Sequence, residues 1–187
     1  VFQTLLLEVE DVPAAIAHPI VQGVAVTGSD RAGAAVAETA GKHLKKCVLE
    51  LGGSDAFIVL DDADLDKAVE VGVASRMNNC GQTCIAAKRF IIQESIADVF
   101  REKLIAKLKS LRIGAPDDPN ADLSTMARRD LVDNLERQVR ESVSKGAHVL
   151  LAGGPENTSS NFFRPVVLTD ITPGMPAYEE ELFGPVV

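Results

Sequence analysis

The sequence predicts an α/β fold with a largely parallel sheet. Short apolar runs alternate with stretches of helical periodicity, and turns bearing Gly or Asp separate the two kinds of segment. At 46% hydrophobic and 25% charged over 187 residues, the chain has enough apolar material for one good core or two small lobes.

Val24-Ala25-Val26 reads as a strand that ends in Thr27-Gly28-Ser29-Asp30, and the alanine-rich stretch Arg31 to Ala40 as the helix after it. A second strand covers Lys46 to Leu51 and stops at Gly52-Gly53. A third, Ala56 to Leu60, runs into Asp61-Asp62-Ala63-Asp64, acids that suit a helix N-terminus because they complement its dipole. The helix they open places Leu65, Ala68, Val69, Val73 and Met77 on one face, and should end near Asn78-Asn79.

Lys88 to Gln93 is expected as a strand, and Ser95-Ile96-Ala97-Asp98 as a capping box before a helix bearing Val99, Phe100, Leu104 and Leu108. After the Pro/Asp loop from Gly114 to Asn120, a helix with Leu131, Leu135, Val139 and Val143 on one stripe ends at Gly146. Further strands are expected at Val149-Leu150-Leu151 and Val166-Val167-Leu168, separated by the polar loop Gly153 to Asn161. The last residues, Glu181 to Val187, form an apolar run that looks like a strand entering a core, and Val1 starts without an initiating segment. The expectation is a piece from the middle of a larger protein.

A formal net charge of -8 works against capture of polyphosphate or anionic lipid, so nucleic acid and membrane surfaces are poor partners. Three cysteines, Cys47, Cys80 and Cys84, with no CxxC pair, suggest neither a disulfide framework nor a structural zinc site. A reducing cytoplasm is the simpler setting. No apolar stretch is long enough to span a bilayer, and His18, His43 and His148 are too scattered to form a triad or a metal site.

Three places could carry chemistry. Glu50 lies in the apolar run Cys47-Val48-Leu49-Glu50-Leu51, and an apolar setting raises a carboxylate's affinity for a proton, as general-base catalysis near neutrality requires. The alternative is a strand-end glutamate that reaches solvent. Cys84 sits in the small polar loop Asn78-Asn79-Cys80-Gly81-Gln82-Thr83-Cys84, where a thiol can be reached and where main-chain amides can face an oxyanion. A single loop cysteine without a role is the competing reading. The Gly28-Ser29 turn offers amides and a hydroxyl to a phosphate at a helix N-terminus, or merely caps the helix.

Taken in order, Val26-Thr27-Gly28-Ser29, Leu49-Glu50-Leu51-Gly52-Gly53, Gly81-Gln82-Thr83-Cys84 and Glu181-Leu182-Phe183-Gly184-Pro185 resemble the motifs of the aldehyde dehydrogenases. The Gly52-Gly53-Ser54-Asp55 run and the Cys84 to Phe90 run are most similar to those of its bacterial succinate-semialdehyde dehydrogenases. The resemblance implies that Cys84 is the nucleophile and Glu50 the general base in oxidation of an aldehyde, with succinate semialdehyde favoured, to the acid. It further implies NAD as cofactor, with NADP as the other choice. By the same resemblance Gly28 and Ser29 would meet the pyrophosphate, Leu51 and Gly52 the nicotinamide pocket, Glu181 the ribose, and Phe183 would pack beside the nicotinamide.

It also divides the chain into the end of a Rossmann-like cofactor domain, 1–51, and the first part of an α/β catalytic domain, 52–187, of a protein expected to be a homo-oligomer. Where a related group carries Arg six residues before the nucleophile, this chain has Asn78. Arg76 is then either a cation for an anionic substrate tail or, as the simpler expectation, an exposed helix-end charge. Cys80 is a redox partner of Cys84 or a bystander. Two other functions stay open: a Cys/Glu esterase without cofactor, and a unit serving only folding or assembly.

Overall fold

Two units make up the computed structural model, Val1–Gly52 and Gly53–Val187, and residues 2–187 are described. In the first, a short helix α1 (Val12–Ala17) precedes strand β1 (Gly23–Thr27), helix α2 (Asp30–Lys42) and strand β2 (Lys46–Glu50). β1 and β2 run parallel, with Thr27 opposite Glu50, because α2 carries the chain back along the pair. Leu44 adopts a positive φ of 54°, and the Lys45 amide returns to the Ala40 carbonyl, closing α2. Lys45 Nζ then donates to the carbonyls of Ile16 and His18 at 2.5 Å, satisfying the end of α1.

The second unit opens with β3 (Asp55–Val59), α3 (Leu65–Met77) and β4 (Ala87–Ile92), a parallel pair joined by a crossover helix. Asp64 caps α3 as the acidic cluster predicts, its carboxylate accepting from the Asp66 and Lys67 amides at 3.1 Å. Gly72 lets α3 approach the strands closely: a Cβ there would lie 2.9 Å from the Phe90 ring, which packs 5.1 Å from that of Phe57. Helix α4 (Glu94–Ser110) completes this layer, with Phe100, Leu104 and Leu108 buried against Val59, Val69, Val73 and Met77.

Two sequence expectations change here. Ser95 is already one residue inside α4, so no capping box forms. The Gln93 amide is held by the Val59 carbonyl at 3.0 Å and its side chain bonds Asp61, so the helix begins directly at the strand's end. The sheet is also less parallel than expected. After helix α5 (Arg129–Ser144), strands β5 (His148–Leu151) and β8 (Val167–Thr169) pair antiparallel, as do β6 (Gly154–Pro155) and β7 (Phe163–Arg164). A polar loop without a crossover helix joins them, and only a crossover returns a strand in the parallel sense.

A second core gathers around α5, where Val132 and Leu135 are buried with Met126, Phe163, Val166, Leu182 and Val186. After a helical turn α6 (Pro176–Glu179), the last residues enter this core, as their apolar character predicts. The Val166 amide donates to the Pro185 carbonyl at 3.0 Å and the Leu168 amide to that of Val187 at 2.8 Å.

Arg76 corrects both expectations made for it. Its spacing from Leu65, Val69 and Gly72 places it on the buried face of α3, and it is 0% exposed. The guanidinium donates to four main-chain carbonyls: Val186 at 2.5 Å, Leu182 at 2.7 Å, Gly81 at 3.3 Å, and Gly184. Burial pushes its pKa down to about 10, with the negative charge of Glu181 opposing the shift. It is therefore neither a surface charge nor free to meet a substrate. Each buried acceptor left without a donor costs about 1–3 kcal/mol. Arg76→Met leaves the Gly81 and Val186 carbonyls without a donor and is accordingly expected to destabilise the second unit by at least ~2 kcal/mol, read as a lower urea midpoint in the fluorescence of Tyr178, the only tyrosine in a chain without tryptophan.

Candidate functional site

The turn that carries Cys84 begins where α3 ends. Asn79, Cys80 and Gly81 take positive φ angles of 51°, 55° and 74° in succession. Asn tolerates this region and Gly prefers it, whereas Cys80 costs roughly 1–2 kcal/mol. The surroundings impose it. Cys80 Sγ donates to the Ser124 carbonyl at 3.2 Å and accepts from the Ser124 amide at 3.3 Å. Burial pushes the Cys80 thiol up, the Ser124 amide opposing it, so the residue is a structural thiol. Gln82 locks the other side, donating to the Asn79 carbonyl at 3.0 Å and accepting from the Ala127 amide at 2.9 Å.

Thr83 to Ala86 then form a β-turn, closed by the Ala86 amide on the Thr83 carbonyl at 3.1 Å, with Cys84 and Ile85 at its centre. Cys84 is half-buried and free of any disulfide. The amides of Cys84 and Ile85 donate to no protein acceptor among the described residues. Gly53 keeps the start of β3 close, since a Cβ there would sit 3.2 Å from the Cys84 carbonyl oxygen.

Lys88, one of the few buried cations, binds this turn from within. Its Nζ donates to the Cys84 carbonyl at 2.8 Å and the Thr83 carbonyl at 2.9 Å, and lies 3.0 Å from Glu181 Oε1. Apart from this ion pair, Glu181 Oε1 is buried without a hydrogen-bond donor. The second unit thus gathers three residues: Cys84 and Glu181, both candidates from the sequence, and Lys88, which joins them and which the sequence reading missed. The signal was present, because Lys88 falls on the inward register of β4 beside Ala86 and Ala87, where a cation needs an anion.

Phe183 is half-buried two residues beyond Glu181. Gly81 and Gly184, from two separate motifs, touch each other: a Cβ on Gly81 would lie 2.3 Å from the Gly184 carbonyl oxygen. A Cβ on Gly184 would lie 2.2 Å from Leu135.

In the first unit, Ser29 caps α2, its hydroxyl accepting from the Ala32 amide at 3.3 Å. The amides of Asp30 and Arg31 remain available at that helix end, while Asp30 places a carboxylate in the first turn. Gly28 donates to the Glu50 carbonyl at 3.0 Å and is exposed. Leu51 packs over Gly33, whose Cβ would meet it at 2.5 Å, and Gly52 is exposed. Glu50 is exposed too, so the apolar setting expected for it is not found: among the described residues β2 has β1 as its single partner strand. All three histidines are exposed, and His148 pairs with Asp170 at 2.8 Å. No helix among the described residues is long and apolar enough to cross a membrane.

A family model described as the aldehyde dehydrogenase family matches residues 1–187. The chain is 48% identical over 185 residues to the NADP(+) succinate-semialdehyde dehydrogenase of Deinococcus radiodurans, covering 99% of itself and 39% of that protein. It is 52% identical over 166 residues to the NAD(P)+ succinate semialdehyde dehydrogenase of Escherichia coli, covering 89% of itself and 36% of that protein. Among solved structures, the succinic semialdehyde dehydrogenase of Streptococcus pyogenes in complex with NADP+ superposes with a TM-score of 0.92 at 39% identity, over 97% of this chain and 40% of that one. The chain therefore spans about two fifths of the length of the relatives it matches.

Because Gly81 combines a positive φ with contact to the Gly184 carbonyl, Gly81→Ala should cost at least ~2 kcal/mol of stability. Gly174→Ala, also at positive φ but with open space around it, should cost about 1 kcal/mol. Paired urea titrations would separate the two contributions.

Proposed function

The chain belongs to the aldehyde dehydrogenase family, and from that premise we propose that it carries the nucleophile of an NAD(P)-dependent oxidation of an aldehyde, succinate semialdehyde, to the carboxylic acid. The observation that supports this best is the Cys84 turn: a reachable thiol flanked by two amides without acceptors, which suits attack on a carbonyl and stabilisation of the oxygen's developing charge. Cys84 attacks the aldehyde carbon and forms a thiohemiacetal. A bound nicotinamide would supply the hydride acceptor for that carbon, so that Cys84 would hold the oxidised carbon as a thioester. Glu50 accepts a proton from the water that hydrolyses the thioester, releasing the acid and the free thiol.

For the cofactor, Glu181 is the residue that fits best, because its buried Oε1 has charge compensation but no donor and can accept from a sugar hydroxyl. Gly28 and Ser29, with the open amides of Asp30 and Arg31, are assigned to the pyrophosphate. Leu51, Gly52 and Phe183 are assigned to the nicotinamide. NAD is favoured over NADP from the sequence, while the Deinococcus radiodurans and Escherichia coli relatives are named for NADP(+) and NAD(P)+ respectively. Residues 1–51 are read as the end of a cofactor domain and 52–187 as the start of a catalytic domain. The whole protein is proposed to be a cytoplasmic homo-oligomer, in keeping with its free cysteines and with Val48 and Leu49 exposed on β2.

A second reading, cofactor-free hydrolysis of activated esters, draws on the same turn, since an acyl-enzyme needs only the thiol, the amides and water. Both readings meet in one assay. Reduced nicotinamide formed from succinic semialdehyde with NAD or NADP is expected to disappear in Cys84→Ala, and to fall by about 10²-fold or more in Glu50→Gln. Turnover that survives in Cys84→Ala would remove the assignment, and ester hydrolysis without any nicotinamide reduction would favour the second reading.

A further inference from the structure

Lys88 places an ammonium in the interior within 3.0 Å of three oxygens, and its side chain is 2% exposed. Burying so strongly hydrated a cation is costly unless its hydrogens and charge are matched. Two of its hydrogens go to consecutive carbonyls, Thr83 and Cys84, and its charge is met by Glu181. That choice of partners has a geometric consequence. A trans peptide holds its C=O and its N–H on opposite edges of one plane. Drawing the Thr83 carbonyl towards Lys88 therefore turns the Cys84 amide away from it, and drawing the Cys84 carbonyl turns the Ile85 amide away. These are the two amides without acceptors, and they flank the Cα that bears the Cys84 thiol.

We propose that Lys88 is a positioning residue: its ammonium, held by Glu181, fixes the two peptide planes around Cys84 so that both amides face an oxygen on the carbon that the thiol attacks. The inference rests on the reading of Cys84 as nucleophile. It gives the buried ion pair a role distinct from stability, because the pair holds donors in place before charge develops and so spares their reorganisation during the reaction. Glu181 enters as the counter-charge that keeps the ammonium inside, whatever else it binds.

The test compares two reagents on the 187-residue chain, read cysteine by cysteine through peptide mass spectrometry. With p-nitrophenyl acetate, the Cys84 thiolate forms a C–S bond to the acyl carbon, the ester C–O bond breaks and p-nitrophenolate leaves, by way of an oxyanion. With methyl methanethiosulfonate the same thiolate attacks sulfur, methanesulfinate leaves, and no oxyanion forms. Lys88→Met is expected to slow acylation of Cys84 by at least about tenfold while thiosulfonate exchange stays within about twofold, and Lys88→Arg is expected to recover most of the loss.

Equal changes with both reagents, or none with either, would overturn the positioning role. If circular dichroism shows that Lys88→Met does not fold, Glu181→Gln takes its place, with a few-fold selective loss of acylation supporting the role and an unchanged ratio rejecting it. A wild-type Cys84 acylated no faster than Cys47 would remove the nucleophile itself, and this inference with it.

Discussion

The bonds from Arg76 to the carbonyls of Gly81, Leu182, Gly184 and Val186 are the constraint on which the rest of the second unit depends. Each of those carbonyls is buried or next to buried chain; those of Leu182 and Gly184 also accept from the Gly184 and Val186 amides, whereas those of Gly81 and Val186 have no other donor among the described residues. A single planar cation with five donors supplies them all. In doing so it fastens the turn leading to Cys84 against the segment carrying Glu181 and Phe183. Lys88 sits between Glu181 and the Cys84 carbonyl where these two segments meet.

The cost of this arrangement is visible in the same place. Three successive residues at positive φ would not persist in an isolated loop. Cys80 is held there by two bonds to Ser124, Gln82 by bonds to Asn79 and Ala127, and Gly81 by its contact with Gly184. Strain in the backbone is thus offset by hydrogen bonds and close packing outside it. The result is a sharp exit from α3 that leaves Cys84 half-buried at the centre of its own β-turn.

Much of this was legible in the sequence. Periodicity located β1 to β4 and α2 to α5 to within a residue or two at most ends, since each has a buried face set by spacing. The Gly81-Gln82-Thr83-Cys84 and Glu181 to Pro185 motifs marked the segments that meet. What was missed concerns charged residues that break the apolar pattern. Arg76 lies on the apolar face by spacing, yet its charge suggested exposure, because nothing local reveals that three of its four carbonyls come from residues far along the chain. Lys88 was passed over for the same reason, its counter-charge being Glu181. Glu50 erred the other way: apolar neighbours in sequence suggested burial, whereas among the described residues its strand has one partner and the residue is exposed. Antiparallel pairing of β5 with β8 depended on how a polar loop folds, which periodicity does not encode.

Amide hydrogen exchange in Arg76→Lys, set against the wild type, tests most directly whether one side chain joins these segments. Lysine keeps the charge but cannot reach all four carbonyls. If Arg76 is the tie, the amides of Val166, Leu168 and Val187, which bond along the last segment, and that of Gln82, which closes the turn before Cys84, should all exchange faster together by about tenfold, with α2 unaffected. Faster exchange at Val166 and Val187 with Gln82 unchanged would contradict the account, because the two segments would then be holding their shapes independently.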